Sequence, residues 1–318
     1  MSDVELLHIM RGDHIESIHC GSVAVVDQSG KLIHTLGNPD EFVWMRSIAK
    51  PFQANYVIES GAVDRFNISQ QELAVMCGSH GGTPEQIELV RGVMNRIGIT
   101  VNDLHCGVSV PLDRKAAESL SLKGGKLTPL HHPCSGKHIG MLTVCKAKGW
   151  QIERYEHADH PLQTAILASV SQVLNGAEIA VALDGCSVPT FGTPLKSVAL
   201  AFARLGALPR IPDAMRSHPV LMSGSKRMDT TLMQITNGRI IAKDGSEGLF
   251  ALSIPKLGLG LAIKISDGST RAIMPVATTL LSRYGYITQE ETERLNAAYP
   301  TDITIHTGEI AGELKVII

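Results

Sequence analysis

What this 318-residue chain lacks narrows its function first. The net charge is −2, so the electrostatic footprint needed for nucleic acid or an anionic membrane is missing. No stretch approaches the roughly 18 consecutive apolar residues of a transmembrane helix. The opening Met1-Ser2-Asp3-Val4-Glu5 has neither the basic nor the apolar region of a signal peptide, which predicts a cytoplasmic protein. In that compartment the six cysteines are expected as thiols, and they show no CxxC pair or disulfide-like spacing. Internal repeats, low-complexity tracts and linkers are all absent. Aromatic residues are scarce at 4%, while 44% hydrophobic and 19% charged residues are the proportions of a globular chain. The length suits one large domain or two smaller ones.

The patterning predicts an order of elements. Val23-Ala24-Val25-Val26 and Leu32 to Leu36 flank Gln28-Ser29-Gly30 as a β-hairpin. A helix is expected from Ser47 as N-cap, with Pro51 in its first turn and Gly61 near its end. Glu72 to Cys77 reads as a helix ending in the turn Gly78-Ser79-His80-Gly81-Gly82. Thr83-Pro84-Glu85-Gln86 starts another, with Thr at N-cap, Pro at N1 and Gln at N3. Residues 102–133 show no period and read as irregular. Further helices are expected near 136–149, 161–174, 194–205 and 212–217, and Ala180-Val181-Ala182-Leu183 as a short buried strand. The last third changes to three glycine-bounded antiparallel strands ending in Leu259 to Ile265, then a helix over 270–284. Together these predict an α/β fold: a sheet region from 1–45 and 225–318, with a mainly helical region, 46–224, inserted in a single catalytic unit.

Several residues can carry chemistry. Ser47 and Lys50, in Arg46-Ser47-Ile48-Ala49-Lys50-Pro51, stand at i and i+3 on one helical face. A neutral amine beside a hydroxyl makes a nucleophile–base pair; an N-cap serine with an exposed lysine is the alternative. Ser79 sits in a glycine-rich loop, where backbone approaches a ligand closely or merely turns. Lys264 interrupts an apolar strand, facing solvent or a cleft. Pro133-Cys134-Ser135-Gly136-Lys137-His138 looks like half a phosphate loop, but His131 and His138 break the GxxxxGK[ST] pattern and exclude it. Cys134 and the Asp184-Gly185-Cys186 segment supply two thiols and a carboxylate, suited to zinc or simply buried.

These motifs, in this order and over nearly the whole chain, resemble the rhizobial-type L-asparaginase family. The resemblance rests on Arg11-Gly12-Asp13-His14-Ile15-Glu16, Arg46 to Pro51, Cys77-Gly78-Ser79-His80, Cys134 to Leu142, Asp184-Gly185-Cys186, Lys243 to Gly248, and Lys264 with Asp267-Gly268. Pro133 stands where the family has asparagine. The resemblance implies a fold similar to serine β-lactamases and penicillin-binding enzymes, and a homodimer. It implies two serine–lysine pairs, Ser47 with Lys50 and Ser79 with Lys264. It also implies a zinc ion on Cys134, Cys186 and Lys137, the lysine ligating as a neutral amine.

The resulting expectation is an amidohydrolase converting L-asparagine to L-aspartate and ammonia. Ser47 attacks, Lys50, Ser79 and Lys264 move protons, and Arg46, His80, Asp184 and His138 contribute to substrate binding. Zinc would orient substrate or support structure. One rival is a penicillin-recognising serine hydrolase, although the S-D-N and K-T-G partners are missing and Lys264-Ile265-Ser266 stands in place of the latter. The other is a non-catalytic amino-acid or metal-binding protein on the same scaffold.

Overall fold

The computed structural model describes residues 3–318; Met1 and Ser2, the start of the stretch inspected for a leader, lie outside the described residues. The chain divides into two compact units. One comprises the residues up to Val43 with Pro194–Arg204 and Thr231–Ile318; the other comprises Trp44–Thr193 and Leu205–Thr230.

The first unit is built on an eight-stranded sheet. Its strands are β1 (Val4–Arg11), β2 (His14–Asp27), β3 (Leu32–Leu36), β7 (Ile241–Asp244), β8 (Leu249–Ile254), β9 (Leu259–Ile265), β10 (Asp302–Thr304) and β11 (Ile310–Val316). They run in the order β10-β11-β1-β2-β9-β8-β7, with β3 added to β2. The pairings of this sheet are antiparallel, and β2 from the amino end lies against β9 from the carboxyl end, Ser22 opposite Lys264. This is the expected α/β architecture, a sheet made from both chain ends with the helical portion inserted. β7 and β8 are buried along their whole length, so they alternate little in polarity. Each large aliphatic side chain buried there stabilises the unit by roughly 1.5–3 kcal/mol. Helix Leu195–Leu205 lies close on the sheet because Gly260 has no side chain; a Cβ there would meet the Ala199 carbonyl at 1.9 Å.

The second unit is mainly helical. Helices Lys50–Glu59, Gln70–Met76, Pro84–Arg96, Ser135–Lys148 and Pro161–Val173 form its core, and Ser135 to Cys145 is buried throughout. Reciprocal capping boxes start two of them: Ser69 with Glu72, and Thr83 with Gln86. A small sheet is ordered β4-β6-β5, from β4 (Phe42–Trp44), β5 (Ala180–Leu183) and β6 (Pro189–Pro194). Among the described residues, no helix is long and apolar enough to cross a membrane.

Two expectations fail here. Residues 102–133 are not wholly irregular: Asp113 caps a short helix, Arg114–Leu122, none of whose residues is buried. The strand Ala180–Leu183 is not buried. It is the edge of its sheet, with Val181 and Leu183 exposed, and its apolar run comes from strand propensity rather than a core position.

Candidate active site

The turn carrying Ser47 is tighter than predicted. Arg46–Ala49 forms a 3₁₀ turn, and helix Lys50–Glu59 follows without a side-chain cap, Pro51 occupying its first turn. Ser47 is therefore not an N-cap: the 3₁₀ turn already satisfies local backbone groups, and the hydroxyl is left for other work. Arg46, the residue before it, takes φ +48°, a left-handed conformation uncommon outside glycine.

Ser79 reaches the same place from the end of helix Gln70–Met76. The intervening Gly78 presses on the Met222 carbonyl so closely that a Cβ would lie 1.7 Å from its oxygen. Lys50 is wholly buried, and its Nζ donates to Ser79 Oγ at 2.7 Å and to the Gly78 carbonyl at 2.9 Å. Ser79 Oγ in turn donates to Ser47 Oγ at 3.1 Å. Lysine, serine and serine thus form one continuous hydrogen-bonded chain, ending at a half-buried hydroxyl. Sequence spacing paired Ser47 with Lys50; the structure stations Ser79 between them.

A second cluster lies in the same unit. Lys137 Nζ donates to Cys186 Sγ at 2.9 Å and is 3.7 Å from Asp184 Oδ2. Cys186 Sγ donates to Asp184 Oδ2 at 3.5 Å, while Asp184 Oδ1 accepts from Arg46 Nε at 2.6 Å. Cys186 as hydrogen-bonding neighbour, with the charges of Lys50 and Lys137, holds the Cys134 thiol well below its usual range despite burial. That same bond, with burial, pushes Cys186 up. Burial opposes the Lys137 charge, but Cys186, Cys134 and Asp184 more than offset it and raise the ammonium's pKa. Burial likewise works against the Asp184 carboxylate, and Lys137 and Arg46 outweigh it. Among the described residues, no three His, Cys, Asp or Glu side chains form a metal-holding group. The convergent groups are two sulfurs, which suit zinc, and the Lys137 ammonium, which would have to lose its proton to join them.

The histidines are placed by these elements. His80 Nδ1 accepts from the Gly82 N–H at 3.1 Å, so Nε2 carries the proton and donates to Ser135 Oγ at 2.8 Å, whose own O–H donates to the Leu130 carbonyl at 3.1 Å. Burial, followed by the charge of Lys50, lowers the His80 pKa to about 3. His138 is also fully buried and held neutral, chiefly by desolvation and then by Lys137. Tyr155 Oη accepts from the His105 N–H at 3.0 Å and is hydrogen-bonded to His138 Nδ1 at 2.6 Å. His138 Nε2 has no protein partner among the described residues.

Lys264 belongs to the sheet unit. On β9 its Nζ donates to the carbonyls of Glu247 and Ile265, at 2.5 and 2.9 Å. Glu247 and Gly248 both take positive φ in the turn that offers the first carbonyl. The helical unit brings together Arg46, Ser47, Lys50 and Ser79, and likewise Cys134, Lys137, Asp184 and Cys186, with Asp184 and Arg46 joining the two groups. Sequence reasoning missed Thr190 and Tyr155. Thr190 Oγ1 accepts the Arg46 N–H at 3.0 Å, across 144 residues of chain. No local signal announces a contact of that separation.

The sequence profile of the family described as L-asparaginase II matches residues 7–316. Among curated protein sequences, none matches. Solved structures similar to this one include the β-lactamase Mb2281c from Mycobacterium bovis, 14% identical with a TM-score of 0.40, over 83% of this chain and 94% of that one. A protein from Bacteroides dorei, provisionally described as a β-lactamase, is 15% identical with a TM-score of 0.43, over 82% of this chain and 93% of its own.

Proposed function

We propose that this chain, which belongs to the L-asparaginase II family, hydrolyses the side-chain amide of L-asparagine to L-aspartate and ammonia through Ser47. The observation that carries this reading is the unbroken chain from Lys50 through Ser79 to Ser47. With Lys50 as the neutral amine, the same contacts run in reverse. Ser47 O–H gives its proton to Ser79 Oγ as Ser79 gives its own to Lys50 Nζ. The Ser47 oxygen bonds to the amide carbon, the C–N bond breaks, and the nitrogen leaves as ammonia after taking a proton. Water then adds to the aspartyl ester, the C–O bond to Ser47 breaks, and the serine recovers its proton. The Gly78 carbonyl fixes the direction of the amine, so the relay is pre-aligned rather than assembled at each turnover.

Lys264 is assigned to the leaving-group proton on its sequence motif. Lys264→Met is expected to lower kcat by roughly 10²–10⁴-fold, the range general acid–base groups supply. Wild-type kcat in that variant would remove Lys264 from the assignment.

Zinc is assigned to Cys134, Cys186 and Lys137, where it would polarise or orient a substrate oxygen. The converging sulfurs support this, and Lys137, a protonated donor to Cys186 here, would ligate only after giving up a proton. Elemental analysis of protein purified without added metal is expected to find one zinc per chain. A variant with both cysteines changed to serine is expected to hold none, and full zinc content there would eliminate these ligands.

The test of the reading as a whole is ammonia release from asparagine and glutamine. The amides differ by one methylene, so an apolar pocket alone would separate them by only roughly 10–200-fold. Preference for asparagine is expected; equal kcat/KM would keep the serine chemistry and discard the substrate, and turnover of nitrocefin alone would favour the penicillin-type rival. A homodimer is the expected assembly, checked by light scattering.

A further inference from the structure

The turn before Ser47 is left-handed at a non-glycine residue, as Arg154 and Arg210 are elsewhere, and the helical unit holds it from three directions. The Met45 N–H donates to the Phe191 carbonyl at 2.8 Å. The next N–H, that of Arg46, donates to the buried Thr190 hydroxyl at 3.0 Å, and the Arg46 Nε donates to Asp184 at 2.6 Å. Thr190 and Phe191 are neighbours on β6, and Asp184 stands in the turn joining β5 to β6. That turn is itself fixed: the Asp184 N–H donates to the Val188 carbonyl, the Ser187 N–H donates to the Asp184 carbonyl, and Ser187 also takes a positive φ. A non-glycine residue stays at φ +48° only where its surroundings over-determine it, and such strain gathers at functional sites.

We propose that Thr190 is a positioning residue, and that the β5–β6 hairpin works through it to hold Arg46 left-handed and so aim Ser47 Oγ at Ser79. This rests on the reading of Ser47 as nucleophile. The turn at Arg46 sets the direction in which the next residue leaves, so relaxing it toward the ordinary right-handed region swings Ser47 away from Ser79 Oγ. Because the Arg46 N–H is held by a side chain rather than by a ladder carbonyl, the constraint is removable by a single substitution that keeps size and β-branching. Arg46 thereby has a backbone role beside the ion pair its guanidinium makes with Asp184.

Thr190→Val and Thr190→Ser separate the idea from simple packing. Valine fills the same volume but accepts no hydrogen bond; serine keeps the acceptor and loses a methyl. Valine is expected to lower kcat on the order of 10–100-fold with little change in KM, the size of loss that follows a small misplacement of a reacting group. Serine is expected to restore kcat. A second pair isolates the backbone should valine at 190 fail to fold. Arg46→Gly and Arg46→Ala lose the same Asp184 contact, but only glycine adopts positive φ without strain. Glycine is expected to keep several-fold more kcat than alanine. Wild-type kcat in Thr190→Val, or equal kcat in the two Arg46 variants, overturns the proposal. Turnover surviving in Ser47→Ala would instead remove the nucleophile reading, an outcome neither pair can imitate.

Discussion

Ser47→Ala is expected to lose at least roughly 10³-fold in asparagine turnover while melting within a few degrees of the parent. Removing the attacking group of a serine hydrolase costs that much or more, because the covalent route closes and only binding and electrostatics remain. The fold has little reason to notice. Ser47 does not cap a helix, and its hydroxyl accepts one hydrogen bond, from Ser79. A bond of that kind contributes about 1 kcal/mol, which moves the melting temperature of a chain this long by no more than roughly 2 °C. Two measurements settle it: steady-state ammonia release, and an acid-quenched digest in which the wild-type Ser47 peptide carries an aspartyl ester and the variant does not. A variant keeping a tenth of the turnover would show that another group attacks the amide.

The parts of the fold that were legible in the sequence are those governed by short-range physics. The capping pattern at Thr83-Pro84-Glu85-Gln86 placed its helix start correctly, because the reciprocal bonds that make a capping box lie within four residues. Gly149, left-handed with φ +68°, ended its helix as a C-cap glycine should. The three strands β7, β8 and β9 declared themselves by apolar runs between glycines. What misled was pattern without context. Serine before a helix reads as a cap, yet at Ser47 the 3₁₀ turn took over that task. A short apolar run reads as buried, yet β5 lies at a sheet edge. The helix Arg114–Leu122 was overlooked although Asp113 caps it and Ala116, Ala117 and Leu120 share one face, because the stripe spans fewer than three turns within an otherwise irregular stretch.

The candidate site was legible in its residues and not in its wiring. Residue type and motif marked Ser47, Lys50, Ser79, Cys134, Lys137, Asp184 and Cys186. Which of them touch is decided by contacts spanning about 30 to 140 residues, such as Lys50 with Ser79 and Arg46 with Asp184, and spacing along a chain carries no record of those. The i, i+3 rule suggested a direct serine–lysine pair. The structure adds an intermediate hydroxyl, because the Gly78–Ser79 corner enters beside Lys50 where only glycine clears the Met222 carbonyl. Asp184 likewise looked like a binding residue, and its two oxygens turn out to face different groups: Arg46 on one side, Lys137 and Cys186 on the other.

The second large effect is expected at Lys50. Lys50→Met should lower kcat/KM by at least roughly 10³-fold and abolish the rise of activity with alkaline pH, and Lys50→Arg should not rescue either. Only a neutral amine takes a proton from Ser79. The neutral form of any amine grows as pH rises, so the rate should rise with it. Methionine keeps most of the buried volume, so the loss reads chemistry more than packing, although the Gly78 carbonyl and Ser79 lose a donor. The competing base is a histidine, and His80 is the nearest candidate by motif. Its geometry argues against it: Nδ1 accepts the Gly82 N–H, and Nε2–H is committed to Ser135. Burial, with Lys50 second, keeps its pKa near 3, so it is neutral throughout the working range and imposes no inflection there. Removing Lys50 takes away the smaller of those two causes and leaves burial in force, so the variant should gain no new base. A pH–rate profile of Lys50→Met that retains activity and bends between about pH 6 and 7, where an unperturbed histidine titrates, would transfer the proton-accepting role from lysine to a histidine.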